Sequence, residues 1–172
     1  MKTSEFVLSI LDRIQNAQMT AVDGLSHQEL TWRPGPESNS IGFILWHQTR
    51  VEDIFVQGMI KRKPQVWNEE KWCEKLNLPE NPQDVGYGYS AEQVTAFPVP
   101  ELDTLLGYAK ATRARTVEYL KGAAADELDK VIKTPIFGDI SIAQVFIILL
   151  GDTIQHTGQV AYLRGLQRGL NK

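Results

Sequence analysis

One helix constrains this chain more than any other feature. Ser141-Ile-Ala-Gln-Val-Phe-Ile-Ile-Leu-Leu-Gly-Asp-Thr-Ile-Gln-His-Thr-Gly-Gln-Val-Ala-Tyr-Leu-Arg164 is the most apolar helix the sequence can make. At about 100° per residue, Val145, Leu149, Asp152, His156 and Leu163 fall within an arc of roughly 60°. Such a stripe faces a core, where an acid and an imidazole are costly unless they pair with each other or bind something. Asp152 and His156 stand four residues apart and so stack on one helical face, which allows two ligands to one metal ion.

Three further segments carry the helical period, and no stretch alternates convincingly as a strand. Val7, Ile10, Leu11, Ile14, Ala17, Ala21, Val22 and Leu25 mark the first helix. Ser26-His-Gln-Glu29 then matches a capping box, predicting a short helical turn before Pro34 and Pro36 break the chain. The second helix starts at Asn39 or Ser40 and runs through Ile44, Val51 and Phe55 towards Lys63. The third covers about Asp103 to Leu120, with Gly122 as its stop. Between the second and third lies a loop of about residues 64–100, rich in Trp, Tyr and Pro. Its aromatic content predicts a packed rather than floppy segment, with short helices at Asn68–Leu76 and Ser90–Phe97. Lys133 to Gly138 reads as a turn or small hairpin. The expectation is an all-α, single-domain chain over 1–172: a four-helix bundle with a long crossover between the second and third helices.

Charge and cysteine content narrow the function classes. A net charge of −3 and a pI near 5.6 argue against nucleic acid as a partner. The longest apolar run, Val145 to Leu150, is too short to span a bilayer, so no membrane partner is expected. Cys73 has no second cysteine to pair with, and the N-terminal residues do not resemble a signal peptide, which points to a reducing cytoplasm.

Among three histidines, His27 sits in the exposed first turn of the capping-box segment and reads as a surface residue. His47 lies on the broad apolar arc of the second helix. With Asp152 and His156 it completes an inward set of two imidazoles and one carboxylate on two helices, the ligand types that Zn²⁺, Ni²⁺ or Fe²⁺ accept. The plain structural alternative is an Asp152–His156 hydrogen bond that fixes the imidazole tautomer. Gln48 and Gln159 flank this set and can orient a water or ligand, or be surface amides. Arg50 and Glu52 read as surface or interface residues, Arg113 and Arg115 as a solvated helix face ahead of contacts to an anionic substrate, and Cys73 as structural ahead of a nucleophile. No phosphate loop or nucleophile elbow is present, and no catalytic residue is assigned.

Trp32-Arg-Pro34, Asn39-Ser-Ile-Gly-Phe-Ile-Leu-Trp-His47 and His156-Thr-Gly-Gln-Val-Ala-Tyr-Leu-Arg-Gly165 resemble the DinB-like family of four-helix-bundle proteins. Gly86-Tyr-Gly-Tyr89 and Ser90-Ala-Glu-Gln-Val94 are similar to the loop of one branch. The resemblance implies an up-down-down-up bundle, often a homodimer, with a divalent metal held by a histidine on the second helix and two positions on the fourth. His47 and His156 match two of these. The third is commonly histidine, and here it is Asp152. Aspartate also ligates zinc or nickel, so the departure gives a harder ligand set, weakens metal binding, or leaves an Asp–His pair in an emptied cavity. Some relatives use low-molecular-weight thiols as cofactors for transfer or isomerisation, and others are described as metal-dependent hydrolases. The resemblance therefore implies first a thiol-dependent transferase acting on a small-molecule substrate. Metal-dependent hydrolysis comes second, and a non-catalytic small-molecule-binding or stress-response module third.

Overall fold

The structure, a computed structural model, describes residues 2–169. Four long helices dominate: α1 (Thr3–Val22), α3 (Ile41–Asp53), α7 (Leu102–Gly122) and α8 (Ile142–Arg168). Around them lie the short α2 (His27–Thr31), α4 (Val66–Glu69), α5 (Trp72–Lys75) and α6 (Ala91–Ala96). Local chemistry sets the starts. Ser26 with Glu29, Ser90 with Gln93 and Ser141 with Gln144 form capping boxes, and the Ser40 hydroxyl accepts from the Phe43 N–H.

α1 packs along α8 and α7, and α3 packs along α7 and α8, closing a ring. Two apolar clusters fill it. One joins Val22 of α1, Ile44 of α3, Leu105 of α7 and Val160 of α8. The other joins Leu11, Val51, Leu120 and Leu149 of the same helices. Gly42 lets α3 approach the short elements closely, since a Cβ there would run into Val99 and Leu30.

Three findings extend or correct the sequence reading. First, α3 is buried on every side, Ile41 through Asp53, because the long loop covers the face that the other helices leave open. Arg50 and Glu52 are therefore interior rather than surface residues, at 0% and 6% exposure. Second, the helix continues into a π-helical segment, Ile54–Ile60, where the Lys61 N–H reaches back to Val56 O. Third, the expected turn near residues 133–138 belongs to an antiparallel hairpin of β1 (Val131–Thr134) and β2 (Gly138–Ser141), added to an otherwise helical body. Thr134 Oγ1 closes it, accepting from the Phe137 N–H at 2.9 Å and donating to Gly138 O at 3.2 Å. β2 runs directly into α8, and the Ile142 N–H bonds Lys130 O, so the hairpin fixes where α8 begins.

Candidate metal centre

The three residues singled out from sequence converge. His47 projects from the middle of α3 towards α8, where Asp152 and His156 share one face. His47 Nε2 lies 3.8 Å and His156 Nε2 3.5 Å from the same oxygen, Asp152 Oδ1. The two rings meet edge-on with centroids 4.8 Å apart. The site is on the shoulder of the buried stripe of α8 rather than deep in it. The side chains of His47, His156 and Asp152 are 11%, 19% and 27% exposed.

Hydrogen bonds on the far sides of both rings fix their tautomers. His47 Nδ1 is 2.5 Å from Val85 O, and a carbonyl can only accept. Nδ1 therefore holds the proton, and in the neutral ring Nε2 turns its lone pair towards Asp152. His156 Nδ1 donates to Gln159 Oε1 at 2.7 Å, with the same consequence. Metal-binding imidazoles are commonly held in this way by an acceptor on the second nitrogen.

The electrostatics keep Asp152 ionised. Burial opposes ionisation of Asp152, yet the pull of the His156 and His47 rings in their protonated form outweighs it and holds the carboxyl well below the usual carboxylate range. The His156–Asp152 hydrogen bond in turn raises the imidazole pKa, against the effect of burial. Asp152 Oδ2 is buried and has no hydrogen-bond partner, an unmet acceptor beside two imidazole nitrogens. All three donor atoms lie within 4.8 Å of one another. Two ligands about 2.1 Å from a tetrahedral ion stand about 3.4 Å apart, close to both imidazole–carboxylate separations. The residue types and these two separations fit a divalent ion held by three protein residues.

A buried network supports the His47 acceptor. Arg50 Nε donates to Asp84 O at 3.1 Å and Nη2 to Pro82 O at 2.9 Å, fixing the loop just before Val85. Just after it, Gly86 has φ of +75°, and a Cβ there would come within 2.5 Å of Phe43 and 2.8 Å of Trp46. Gly86→Ala is therefore expected to destabilise the fold by about 1–3 kcal/mol, read as a lower urea midpoint, because it combines overpacking with an αL penalty.

Other candidates divide between the two readings given them. His27 is a surface residue, its Nδ1 3.2 Å from Glu101 Oε1. Cys73 is buried. Gln159 orients His156, whereas Gln48 is buried and donates to Thr153 O at 3.0 Å. Arg113 is not a solvated residue: it forms a two-point pair with the buried Glu52, both contacts at 2.8 Å. Arg115 stays half-exposed beside Glu69 and Glu70. Sequence reasoning missed Asp53, Tyr108 and Asp84. The first had a local signal, since Arg50 and Asp53 form an i, i+3 charge pair with apolar residues on both sides.

A ring of four long helices carrying a two-histidine, one-carboxylate constellation defines a class, the helical bundles with a possible metal site between facing helices. The chain belongs to the DinB superfamily, whose family model matches residues 10–160. The crystal structure of a conserved protein from Enterococcus faecalis is similar in fold, with a TM-score of 0.85 over 96% of this chain and 97% of that one, at 24% identity. No curated protein matches the chain.

Proposed function

We propose that this protein is an enzyme that binds a divalent metal through His47, Asp152 and His156 and acts on a small molecule, with thiol-dependent transfer as its chemistry. One observation carries the reading. Asp152 Oδ2 is buried without a partner, beside two imidazoles whose other nitrogens are committed to oxygen acceptors. In a pair serving structure alone, that oxygen would be expected to find a donor.

The bound metal would supply Lewis acidity, lowering the pKa of a thiol at its open position. Val85 O and Gln159 hold each imidazole in the tautomer that presents Nε2, and Asp152 offsets the cation's charge. All three side chains are partly exposed, which suits a site that a small molecule approaches from solvent. Hydrolysis is the second reading, since a metal held by three protein residues would activate water as well.

Elemental analysis by inductively coupled plasma mass spectrometry tests the site. Near-stoichiometric zinc, nickel or iron is expected in the wild type and should fall at least tenfold in His47→Ala, Asp152→Ala and His156→Ala, all remaining folded. Metal that stays in the variants, or never binds the wild type after reconstitution, sinks the proposal. A low-molecular-weight thiol should then bind the metal-loaded protein and not the metal-free one, whereas ester turnover without thiol would favour hydrolysis.

The reading includes an up-down-down-up bundle and a homodimer. The antiparallel pairing of α1 with α3 is supported by the first apolar cluster, where the end of α1 meets the start of α3. The dimer is supported by the outer face of α8. Ile147, Ile154, Tyr162 and Leu166 are exposed there, and between Asp139 and Arg164 the helix carries no Asp, Glu, Lys or Arg but Asp152. A helix apolar on all sides is normally covered. Light scattering should show a dimer that Ile154→Glu converts to monomer; a monomeric wild type would remove this part of the reading.

A further inference from the structure

A second site lies behind the loop that supports His47. Residues 78–98 fold over α3 and α4 and line a half-open cavity of about 220 Å³. Four aromatic rings line it, those of Trp46, Trp67, Tyr89 and Phe97, with Pro79 and Pro98 adding further apolar wall. The walls are braced against one another: Trp46 and Phe97 have ring centroids 4.8 Å apart, and both pack on Phe43. The cavity is therefore a built feature, not a gap in a loose loop.

Its charge is one-sided. Asp84 is the sole ionisable acid or base in the lining besides the Tyr89 phenol. Asp84 Oδ2 accepts from the Tyr89 hydroxyl at 2.6 Å, and Oδ1 accepts from the Gly86 N–H at 3.0 Å. These neutral donors orient the carboxylate and leave its charge uncompensated. Arg50 is already engaged: the guanidinium binds the backbone carbonyl of Asp84, is paired with Asp53 at 3.7 Å and lies over the Trp67 ring, 4.5 Å from its centroid, so the rings left without a cation are those of Trp46, Tyr89 and Phe97. Burial and the adjacent carboxylate push the Tyr89 hydroxyl far above its ordinary range, so it stays a neutral donor.

Aromatic faces are negative, and a carboxylate set among them adds to the same field. The apolar walls cannot replace the hydration shell of a metal cation, which needs several oxygen ligands. An alkylated ammonium is different, because it is weakly hydrated and its methyl groups pack on rings. A cavity of roughly 150 Å³ accommodates a ring of six carbons, so this one has room for a headgroup of about six to nine heavy atoms. We infer that the Trp46–Trp67–Tyr89–Phe97 cavity is a binding site for a small, free organic ammonium compound, with Asp84 as its counter-charge. This site does not depend on a metal at His47, although Asp84 adjoins Val85, the acceptor for that ring.

Isothermal titration calorimetry on the full chain tests it, with choline as the probe. Its neutral isostere 3,3-dimethyl-1-butanol, sodium chloride and phosphatidylcholine vesicles are the comparisons. Saturable choline binding is expected, at least tenfold tighter than the isostere, with no sodium response and no co-sedimentation with vesicles. Asp84→Asn should reduce choline affinity at least tenfold and leave the isostere unchanged. Phe97→Leu, which keeps an apolar wall but removes one ring, should weaken choline more than the isostere. Equal binding of choline and isostere, choline binding that survives both substitutions, or no choline heat at millimolar concentration would each overturn the assignment. Vesicle binding without free choline binding would also overturn it, by making a membrane surface the ligand.

Discussion

Asp53→Ala is expected to lower the stability of this protein by about 3–5 kcal/mol, seen as a large drop in the urea unfolding midpoint. Asp53 and Arg50 are both fully buried, with Arg50 Nη1 3.7 Å from Asp53 Oδ2. The same carboxylate accepts from the Val66 and Trp67 N–H groups at 3.0 and 2.8 Å and from the Tyr108 hydroxyl at 2.7 Å. It thus ties α4 and α7 to α3. Removing it strands a guanidinium among the Trp67 and Tyr108 rings and leaves two buried N–H groups unmet. The pair is not a net source of stability, however. Burial raises the Asp53 pKa more than its donors and Arg50 lower it. A raised carboxyl pKa means that ionisation costs more in the folded state than in the unfolded one, so protonation would relieve the fold rather than break it. Asp53→Leu with Arg50→Met should therefore recover part of the loss. The unrecovered part measures the Pro82 and Asp84 carbonyls that Arg50 held. A loss below about 1 kcal/mol for Asp53→Ala alone would show that water reaches the pair.

That network also marks where the sequence stops being informative. Local signals were sufficient for the ends of helices: Ser26-x-x-Glu29 and Ser141-x-x-Gln144 cap as their spacing predicts. The Asp152–His156 pair was legible because i, i+4 residues share a face whatever surrounds the helix. The meeting of His47 with that pair depends on how α3 and α8 face each other; the apolar arc around His47 placed it inward, and the family resemblance added the pairing of the two helices. Arg50, Glu52 and Arg113 misled for a physical reason. Charged residues on helices are usually solvated, and nothing local reveals that a loop from residues 78 to 98 will seal α3 on its open side. The acceptor role of Val85 was hidden in the same way, since every residue has a carbonyl and tertiary structure decides which one meets an imidazole.

The metal and the proton should compete at His156, and their pH dependences should run in opposite directions. In the metal-free protein the His156 pKa is raised by its hydrogen bond to Asp152, and the Asp152 pKa is lowered. A raised histidine pKa stabilises the fold below the unfolded value of about 6.5, and that contribution is lost as pH rises through the folded pKa. A lowered aspartate pKa stabilises it above about 3.8 and is lost as pH falls towards the folded pKa. The charged pair is thus complete between about pH 4 and 6.5, and metal-free protein should have a falling Tm from pH 6 to 8. A divalent ion needs His156 neutral at Nε2, so binding expels the proton that the pair holds there. Metal affinity should then rise by up to about tenfold per pH unit below the folded His156 pKa and level off above it. The rise in Tm on adding zinc should be small at pH 5.5 and largest near pH 8, exceeding the metal-free decline. Differential scanning calorimetry at constant free zinc measures both trends. His156→Asn should flatten the metal-free trend and abolish the zinc response together, because one nitrogen serves both. A zinc-induced shift that does not vary with pH would place the ion away from His156, and with it the chemistry.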